Sequence, residues 1–294
     1  MAEASVEVNG GNVVYEFVGP ENGEIVVITP GGRFSKDYGG VHELANKIAA
    51  GGKRVLLWDR PNCGKSDIQL YGQSESHMRS ETLGLMLDKL GVKDKVIAAG
   101  GSGGARDMIV FTMMYPEKVR KLITWCIVGG SYSSINLAAV YVLNELRTIR
   151  STGSMDAIAA LGNGPFGWKP LIEANPNNLK RLHDIGPEEF EKVMNRWFDA
   201  YIPKPNEAIP GVPDHLFDSV KVPTLVVRGG VKDYDHPPRT SFEIHALIRG
   251  STLVDPAWPE DAWEVAARGV GQGKGSLFDF WQDGAQQFLD FIDA

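Results

Sequence analysis

The chain has 294 residues, of which 43% are hydrophobic and 23% charged, and this length suits either one large domain with an insertion or two small domains. Its net charge of −7 disfavours nucleic acid and anionic membranes as partners, and no apolar run is long enough to span a bilayer. We therefore expect a small-molecule substrate.

The chain start and the cysteines bear on the cellular compartment. Met1 to Ser5 lack the basic and apolar regions of a signal peptide, and two cysteines, Cys63 and Cys126, make no disulfide framework. These features predict a cytoplasmic protein. The oligomeric state is left open, with a homodimer as one expectation.

Short runs rich in Val, Ile and Leu alternate with helical stretches along most of the chain. This alternation is typical of a mainly parallel sheet covered by helices on both faces. An antiparallel hairpin, Val6–Val8 and Val13–Val18, precedes it. The other predicted strands are Ile25–Thr29, Arg54–Trp58, Lys95–Ala99, Lys121–Cys126, Thr224–Arg228 and Thr252–Val254. The predicted helices are Val41–Ala50, Glu75–Leu90, Ala105–Tyr115, Arg239–Ile248 and Phe280–Ile292.

Residues 131–218 interrupt the alternation, since they contain helical patterns such as Ala138–Ile149 and Pro187–Tyr201 but no convincing strand. They predict an inserted helical cap, with residues 1–130 and 219–294 forming the core domain. Such insertions cover active sites and exclude water. Near the C-terminus, Gly269–Gly275 predicts a glycine-rich loop.

The most informative motif is Gly100-Gly101-Ser102-Gly103-Gly104, which joins a predicted strand to a predicted helix. It has the Gly-x-Ser-x-Gly pattern of a nucleophile elbow, in which small residues let strand and helix approach and expose a serine in a strained backbone. Ser102 is therefore the candidate nucleophile.

The strand order, this elbow after the fifth strand and the insertion after the sixth resemble the α/β-hydrolase fold superfamily, in particular its lidded serine hydrolases. The resemblance covers essentially the whole chain. It implies a mostly parallel eight-stranded sheet with helices on both faces and an inserted helical lid. It also implies that the loop Pro30-Gly31-Gly32-Arg33 supplies the Gly32 amide, which with the Gly103 amide forms an oxyanion hole.

The turn Asp59-Arg60-Pro61-Asn62-Cys63-Gly64 is similar to a structural turn of the same family. Cys63 is expected to be a packed small residue, because no histidine is near in sequence to activate it.

The catalytic acid of the family follows the sixth or the seventh strand. The first position offers no carboxylate, whereas Gly230 to Pro237 resembles the family's acid loop and places Asp233 at the usual distance from its glycine and proline. Asp233 is the predicted acid and Asp235 the reserve.

The chain departs from the family at the general base. The loop after the eighth strand should carry a histidine, yet no histidine follows His245. Three explanations compete: His236 supplies the base from the acid loop; Glu260 or Asp261 acts as base beside Trp258 and Trp263; or the hydrolytic triad is lost and the pocket serves binding or non-hydrolytic chemistry.

Together these features predict a hydrolase acting on a small apolar or aromatic carbonyl compound, namely an ester, a lactone or a carbon–carbon bond next to a ketone. The alternatives are a cofactor-free lyase and a catalytically silent small-molecule-binding protein. Arg33, Trp168 and Trp258 are candidate substrate contacts, and Tyr141, Phe166 and Trp197 are further aromatic candidates. No metal-ligand spacing or dinucleotide fingerprint is visible, so we expect neither a metal nor a cofactor.

Overall fold

A computed structural model describes residues 3–162 and 166–294, and in it one sheet of eight strands runs in the order β1-β2-β4-β3-β5-β6-β7-β8. The strands are β1 Ala4–Val8, β2 Gly11–Val18, β3 Ile25–Thr29, β4 Arg54–Trp58, β5 Val96–Gly101, β6 Val119–Trp125, β7 Thr224–Val227 and β8 Thr252–Val254. β2 pairs antiparallel with both β1 and β4, and all the other pairs are parallel.

The hairpin turn between β1 and β2 follows from its residues. Asn9 and Gly10 have φ angles of 50° and 72°, and a two-residue hairpin turn requires positive φ at both positions, which asparagine and glycine tolerate. This turn sets the register that pairs Val6 with Val13.

Helices cover both faces of the sheet, and most of their bounds agree with the predicted ones to within a few residues. They are α1 Val41–Ala50, α2 Glu75–Lys89, α3 Gly103–Met114, α4 Gly130–Ala138, α5 Asn144–Thr152, α6 Met155–Ala159, α7 Trp168–Ala174, α8 Asn177–Tyr201, α9 Pro238–Leu247, α10 Ala262–Gly271 and α11 Ala285–Asp293. A π-helical segment, Ala139–Leu143, links α4 to α5, and 3-10 helices span Asp214–Ser219 and Asp279–Gly284.

The side chains of each strand alternate between the two helical layers. In β3, Val26 and Ile28 pack in the cluster that contains residues of α1 and α11, while Val27 packs in the cluster with residues of α2, α3 and α9. Because successive side chains of a strand point to opposite faces, one run of buried β-branched residues serves both layers.

The inserted helices α4 to α8 form a cap with an apolar cluster of its own. Tyr141, Trp168, Phe190 and Trp197 are buried in that cluster, and Ile68 from the core domain packs against them. The structure therefore joins the cap to the loop that follows β4.

One predicted loop is wrong. The segment after β8 forms helix α10, which continues through Gly269 and Gly271, so only Gln272–Gly275 of the predicted glycine-rich loop lie outside it. Glycines in the last turn of a helix cost little, because the end of a helix is where backbone freedom is tolerated. Among the described residues, no helix combines the length and apolarity that crossing a membrane requires.

Candidate active site

Ser102 lies at the sharp turn between β5 and α3. Its φ and ψ of 56° and −126° are a strained conformation for a residue with a side chain. The turn is possible because Gly104 packs on β3: a Cβ there would lie 2.1 Å from the Thr29 carbonyl oxygen. The serine side chain therefore stands at the carboxyl edge of the sheet, as the elbow motif predicts.

His236 and Asp233 lie in the loop between β7 and α9 and reach Ser102. His236 Nε2 lies 2.7 Å from Ser102 Oγ, and His236 Nδ1 lies 2.8 Å from Asp233 Oδ2. Asp233 also shapes the turn, since its Oδ1 accepts hydrogen bonds from the backbone amides of Asp235 and His236. One carboxylate thus folds the loop and orients the imidazole.

The contacts define which imidazole nitrogen carries the proton. A carboxylate only accepts hydrogen bonds, so Nδ1 donates to Asp233 and Nε2 is left to accept the Ser102 hydroxyl proton. His236 and Asp233 are 1% and 2% exposed. This chain of contacts can remove a proton from Ser102 and hold it on the imidazole.

The predicted oxyanion donors also lie next to Ser102. A Cβ on Gly103 would lie 3.1 Å from the Gly32 nitrogen, and one on Gly31 would lie 2.8 Å from Ser102 Oγ. A hydrogen bond from Arg60 to the Gly31 carbonyl, at 3.0 Å, stabilises the loop that contains Gly31 and Gly32. The backbones of Gly32 and Gly103 therefore lie close to each other and next to Ser102.

Trp263, the second residue of α10, packs against the loop that contains Asp233 and His236. Its ring lies edge-to-face against the His236 imidazole with centroids 4.4 Å apart, and its Nε1 donates to Asp235 Oδ2 at 3.1 Å. The segment that should carry the family's histidine therefore contacts the histidine that stands in the neighbouring loop.

The structure does not support the carboxylate alternative for the base. Arg228 donates hydrogen bonds to both oxygens of Glu260, and this contact lowers the pKa of that carboxyl. If neighbouring tryptophans made this carboxylate a general base, its pKa would have to be raised rather than lowered. Asp261 is the first residue before α10 and is exposed.

A cavity of about 270 Å³ opens onto Ser102 and His236 between the core domain and the cap. Its walls are mainly apolar, which suits a small organic substrate. The apolar and aromatic side chains that line it are Phe34, Val128, Leu137, Val140, Tyr141, Phe166, Trp263, Ala267, Leu277 and Phe278.

Three predicted substrate contacts are corrected by their surroundings, because none of them lines this cavity. Trp168 is buried in the apolar cluster of the cap, and Trp258 in the core cluster beside Phe280. Arg33 is buried in an ion pair with Glu75. Tyr141 and Phe166 do line the cavity, whereas Trp197 belongs to the interior of the cap.

Sequence reasoning missed a polar patch in the cavity wall. Glu75, Arg79, Arg106 and Tyr201 all line the cavity and all are buried. Burial alone would raise the pKa of Glu75, but Arg33, Arg79 and Arg106 outweigh it and hold that pKa at about 2. The position of Arg106, one helical turn after Ser102, was the only sequence signal available.

The remaining reactive side chains lie elsewhere. Cys63 and Cys126 are free and buried, and burial raises the pKa of each thiol, so neither is an activated nucleophile. Among the described residues one group, Glu16, Asp37 and His42, has metal-ligand spacing. The Lys36 ammonium occupies that group, at 2.9 Å from Glu16 and 2.6 Å from Asp37.

Sequence comparison finds related enzymes but no matching family model. The chain is 28% identical over 218 residues to a 2-hydroxy-6-oxononadienedioate/2-hydroxy-6-oxononatrienedioate hydrolase of Klebsiella pneumoniae, covering 70% of this chain and 69% of that one. The enzyme of the same name from Burkholderia vietnamiensis is 31% identical over 118 residues, which is 40% of each chain.

Structure comparison extends the likeness to the whole fold. An esterase from Rhodococcus sp. ECU1013 superposes with a TM-score of 0.60 at 19% identity, covering 99% of both chains. A serine hydrolase involved in carbazole degradation gives a TM-score of 0.60 at 16% identity, covering 99% of this chain and 98% of that one. With the sheet order and the elbow already described, these likenesses show that the chain has the α/β-hydrolase fold and is an enzyme of the hydrolase type.

Proposed function

We propose that this protein is a serine hydrolase that cleaves a small, largely apolar carbonyl compound. The observation that carries the proposal is the contact chain from Ser102 Oγ to His236 Nε2 at 2.7 Å and from His236 Nδ1 to Asp233 at 2.8 Å. A serine hydroxyl is a weak nucleophile by itself and needs such a base.

The reaction then follows two steps. Ser102 Oγ attacks the carbonyl carbon while its proton passes to His236 Nε2, and the negative oxygen is stabilised by the Gly32 and Gly103 amides. When the intermediate collapses, the bond to the leaving group breaks and His236 returns the proton to that group. Water, activated in turn by His236, hydrolyses the acyl-enzyme and frees Ser102.

The bond that is cleaved is an ester, a lactone or a carbon–carbon bond next to a ketone. The relatives from Klebsiella pneumoniae and Burkholderia vietnamiensis are named for hydrolysis of 2-hydroxy-6-oxo dienedioates, which favours the third possibility. In that case the leaving group is a carbanion, and the proton that His236 delivers is essential for its departure.

The lyase and silent-binding alternatives depended on the absence of a base. His236 lies where a base would act, so we place hydrolysis ahead of both. The cytoplasmic location stays a prediction, and the free thiols of Cys63 and Cys126 are consistent with a reducing compartment.

The test combines covalent labelling with turnover. Purified protein is treated with a fluorophosphonate probe, and hydrolysis of p-nitrophenyl butyrate and of a 2-hydroxy-6-oxo-dienoate is followed against pH. We expect Ser102→Ala to abolish labelling, and Ser102→Ala and His236→Ala each to lower kcat by at least about 1,000-fold on the better substrate.

Glu260→Gln is the matched control, because it removes the rival carboxylate without touching the contact chain. It should keep wild-type kcat. Loss of activity in Glu260→Gln with activity retained in His236→Ala would reverse the assignment of the base. If Ser102 is not labelled and neither substrate is turned over, the hydrolase proposal is rejected in favour of the binding-protein or lyase hypothesis.

A further inference from the structure

The polar patch in the cavity wall and the buried charges next to it together contain more positive than negative charge. Four arginines, Arg33, Arg60, Arg79 and Arg106, are buried there with three carboxyl groups, those of Glu75, Asp107 and Glu145. Burial also raises the pKa of Glu145. Arginine stays charged in proteins, so the excess cannot be relieved by deprotonation.

Three of the arginines have carboxylate partners. Arg33 lies 3.1 Å from Glu75, Arg60 lies 3.0 Å from Asp107, and Arg79 lies 3.3 Å from Glu75. The Glu75 charge, which also faces the cavity, is therefore shared between Arg33 and Arg79.

Arg106 differs from the other three. Its Nε donates to Ser76 Oγ at 2.7 Å and its Nη2 to the Tyr201 hydroxyl at 2.9 Å, and both acceptors are neutral. No carboxylate of the described residues lies within 4 Å of its guanidinium, and no acceptor among them contacts Nη1. Arg106 is nevertheless only 4% exposed and lines the cavity. Glu75 and Asp107 act on Arg106 only through space, and a buried cation without a directly bonded counter-ion is costly unless an anion completes the site.

Arg106 also lies close to the reacting centre. Ser102 caps α3 and Arg106 stands four residues later, in the first turn of the helix, and both residues line the same cavity. An anionic group bound there would belong to the same small molecule that Ser102 attacks.

We propose that Arg106 binds a carboxylate of the substrate, which makes the preferred substrates short carbonyl compounds that carry an acid group. This inference rests on the proposed function, because it uses the cavity that Ser102 opens onto. A carboxylate is a compact organic anion, and a short acid suits a cavity of about 270 Å³. Tyr201 supports the site, since its hydroxyl accepts from Arg106 and donates to Glu75.

The first test measures binding without turnover. Titration calorimetry on the wild-type protein compares ketone-bearing acids of four to eight carbons, such as 5-oxohexanoate, with the matched primary amides. We expect at least one acid to bind about 30-fold more tightly than its amide, as a charge-assisted contact at a buried site predicts. Arg106→Gln should remove this difference, and Arg106→Lys should restore part of it.

The matched control is Arg196→Gln, which removes an exposed arginine of α8 and should leave the acid preference unchanged. If every acid binds no better than its amide, or if the preference survives in Arg106→Gln, the proposal is overturned. Absence of any acid preference in the wild-type protein overturns the proposal even if Arg106→Gln does not fold.

A kinetic arm separates this inference from the proposed function. The ratio of kcat/KM for p-nitrophenyl hydrogen glutarate to that for p-nitrophenyl pentanoate should fall by about 30-fold in Arg106→Gln. Acid-selective binding without hydrolysis of either ester would retain the anion site and reject the hydrolase assignment. Hydrolysis of both esters with no acid preference in either experiment would retain the hydrolase assignment and reject the anion site.

Discussion

At the scale of single residues, the site depends on a histidine in an unusual place. His236 follows Asp233 by three residues, so the proposed acid and base share one turn, and Gly229 lets the turn close because a Cβ there would lie 1.9 Å from the His236 carbonyl oxygen. The short turn restricts the backbone of His236. The imidazole ring still needs a neighbouring side chain to fix its orientation. Trp263 supplies that contact.

Trp263→Leu should therefore impair catalysis by loosening His236. We expect kcat to fall about 10- to 100-fold, because the imidazole loses its edge-to-face neighbour and Asp235 loses the indole hydrogen bond. Trp263→Phe keeps an aromatic ring and should recover most of the loss. Steady-state kinetics across pH check this: an unchanged pH profile and a change confined to KM would mean that Trp263 only shapes the cavity.

At the scale of elements, α8 is two helices joined at a kink rather than one. Gly186 at the kink has φ 73° and ψ 164°, outside the helical region, and Pro187 follows it. This combination of angles is essentially restricted to glycine, and proline is well placed to begin the second half. The kink lets the second half bring Trp197 and Tyr201 to the interior of the cap.

Two asparagine substitutions separate the kink from an ordinary helix end. A Cβ would meet nothing within 4 Å at Gly186 or at Gly153, which ends α5 with φ 61° and ψ 14°. Only backbone strain therefore distinguishes them. Gly186→Asn should lower the free energy of unfolding by about 1 to 3 kcal/mol, whereas Gly153→Asn should change it by less than about 1 kcal/mol, since asparagine tolerates the left-handed helical region. Equal effects in urea unfolding would contradict this account of the kink.

At the scale of the whole molecule, buried charges join the cap to the core domain. Arg33, which follows β3, donates to the backbone carbonyls of Tyr141 and Phe166 in the cap, and Tyr201 of α8 donates to Glu75 of α2. Glu75 is therefore the carboxylate on which the junction depends.

The stability of the protein should fall in acid through Glu75. Its folded pKa of about 2 lies below the ordinary value of 4.5, so the stabilisation is complete above about pH 4.5 and is lost as pH falls toward 2. Glu75→Gln should lower the free energy of unfolding at pH 7 by about 3 to 5 kcal/mol, because it removes the carboxylate closest to Arg33. The stability of the Glu75→Gln variant should also depend less on pH between 4.5 and 3 than that of the wild type.

Urea unfolding at several pH values measures both effects. Glu173→Gln is the control, since Glu173 is an exposed residue of α7 and its loss should matter little. A Glu75→Gln variant as acid-sensitive as the wild type would show that other carboxyl groups govern acid unfolding.

The sequence by itself determined the features that depend on local backbone chemistry. The Val- and Ile-rich strands, the Asn9-Gly10 turn, the elbow at Ser102 and the acid turn at Asp233 each appear as short patterns, because close packing or positive φ restricts the residue type within a few positions. Helix α10 escaped this kind of analysis because its glycines are typical of a loop.

Only the tertiary structure decided which residues meet across the fold. The sequence places His236 in the acid loop but leaves it as one of three explanations for the base, and its contact with Ser102 joins residues 134 positions apart. In the same way, no sequence pattern tells which arginine is paired. In the fold, Arg33 forms an ion pair with a carboxylate, whereas Arg106 lines the cavity. Charge pairing and burial are set by long-range packing, which a pattern read over a few residues does not contain.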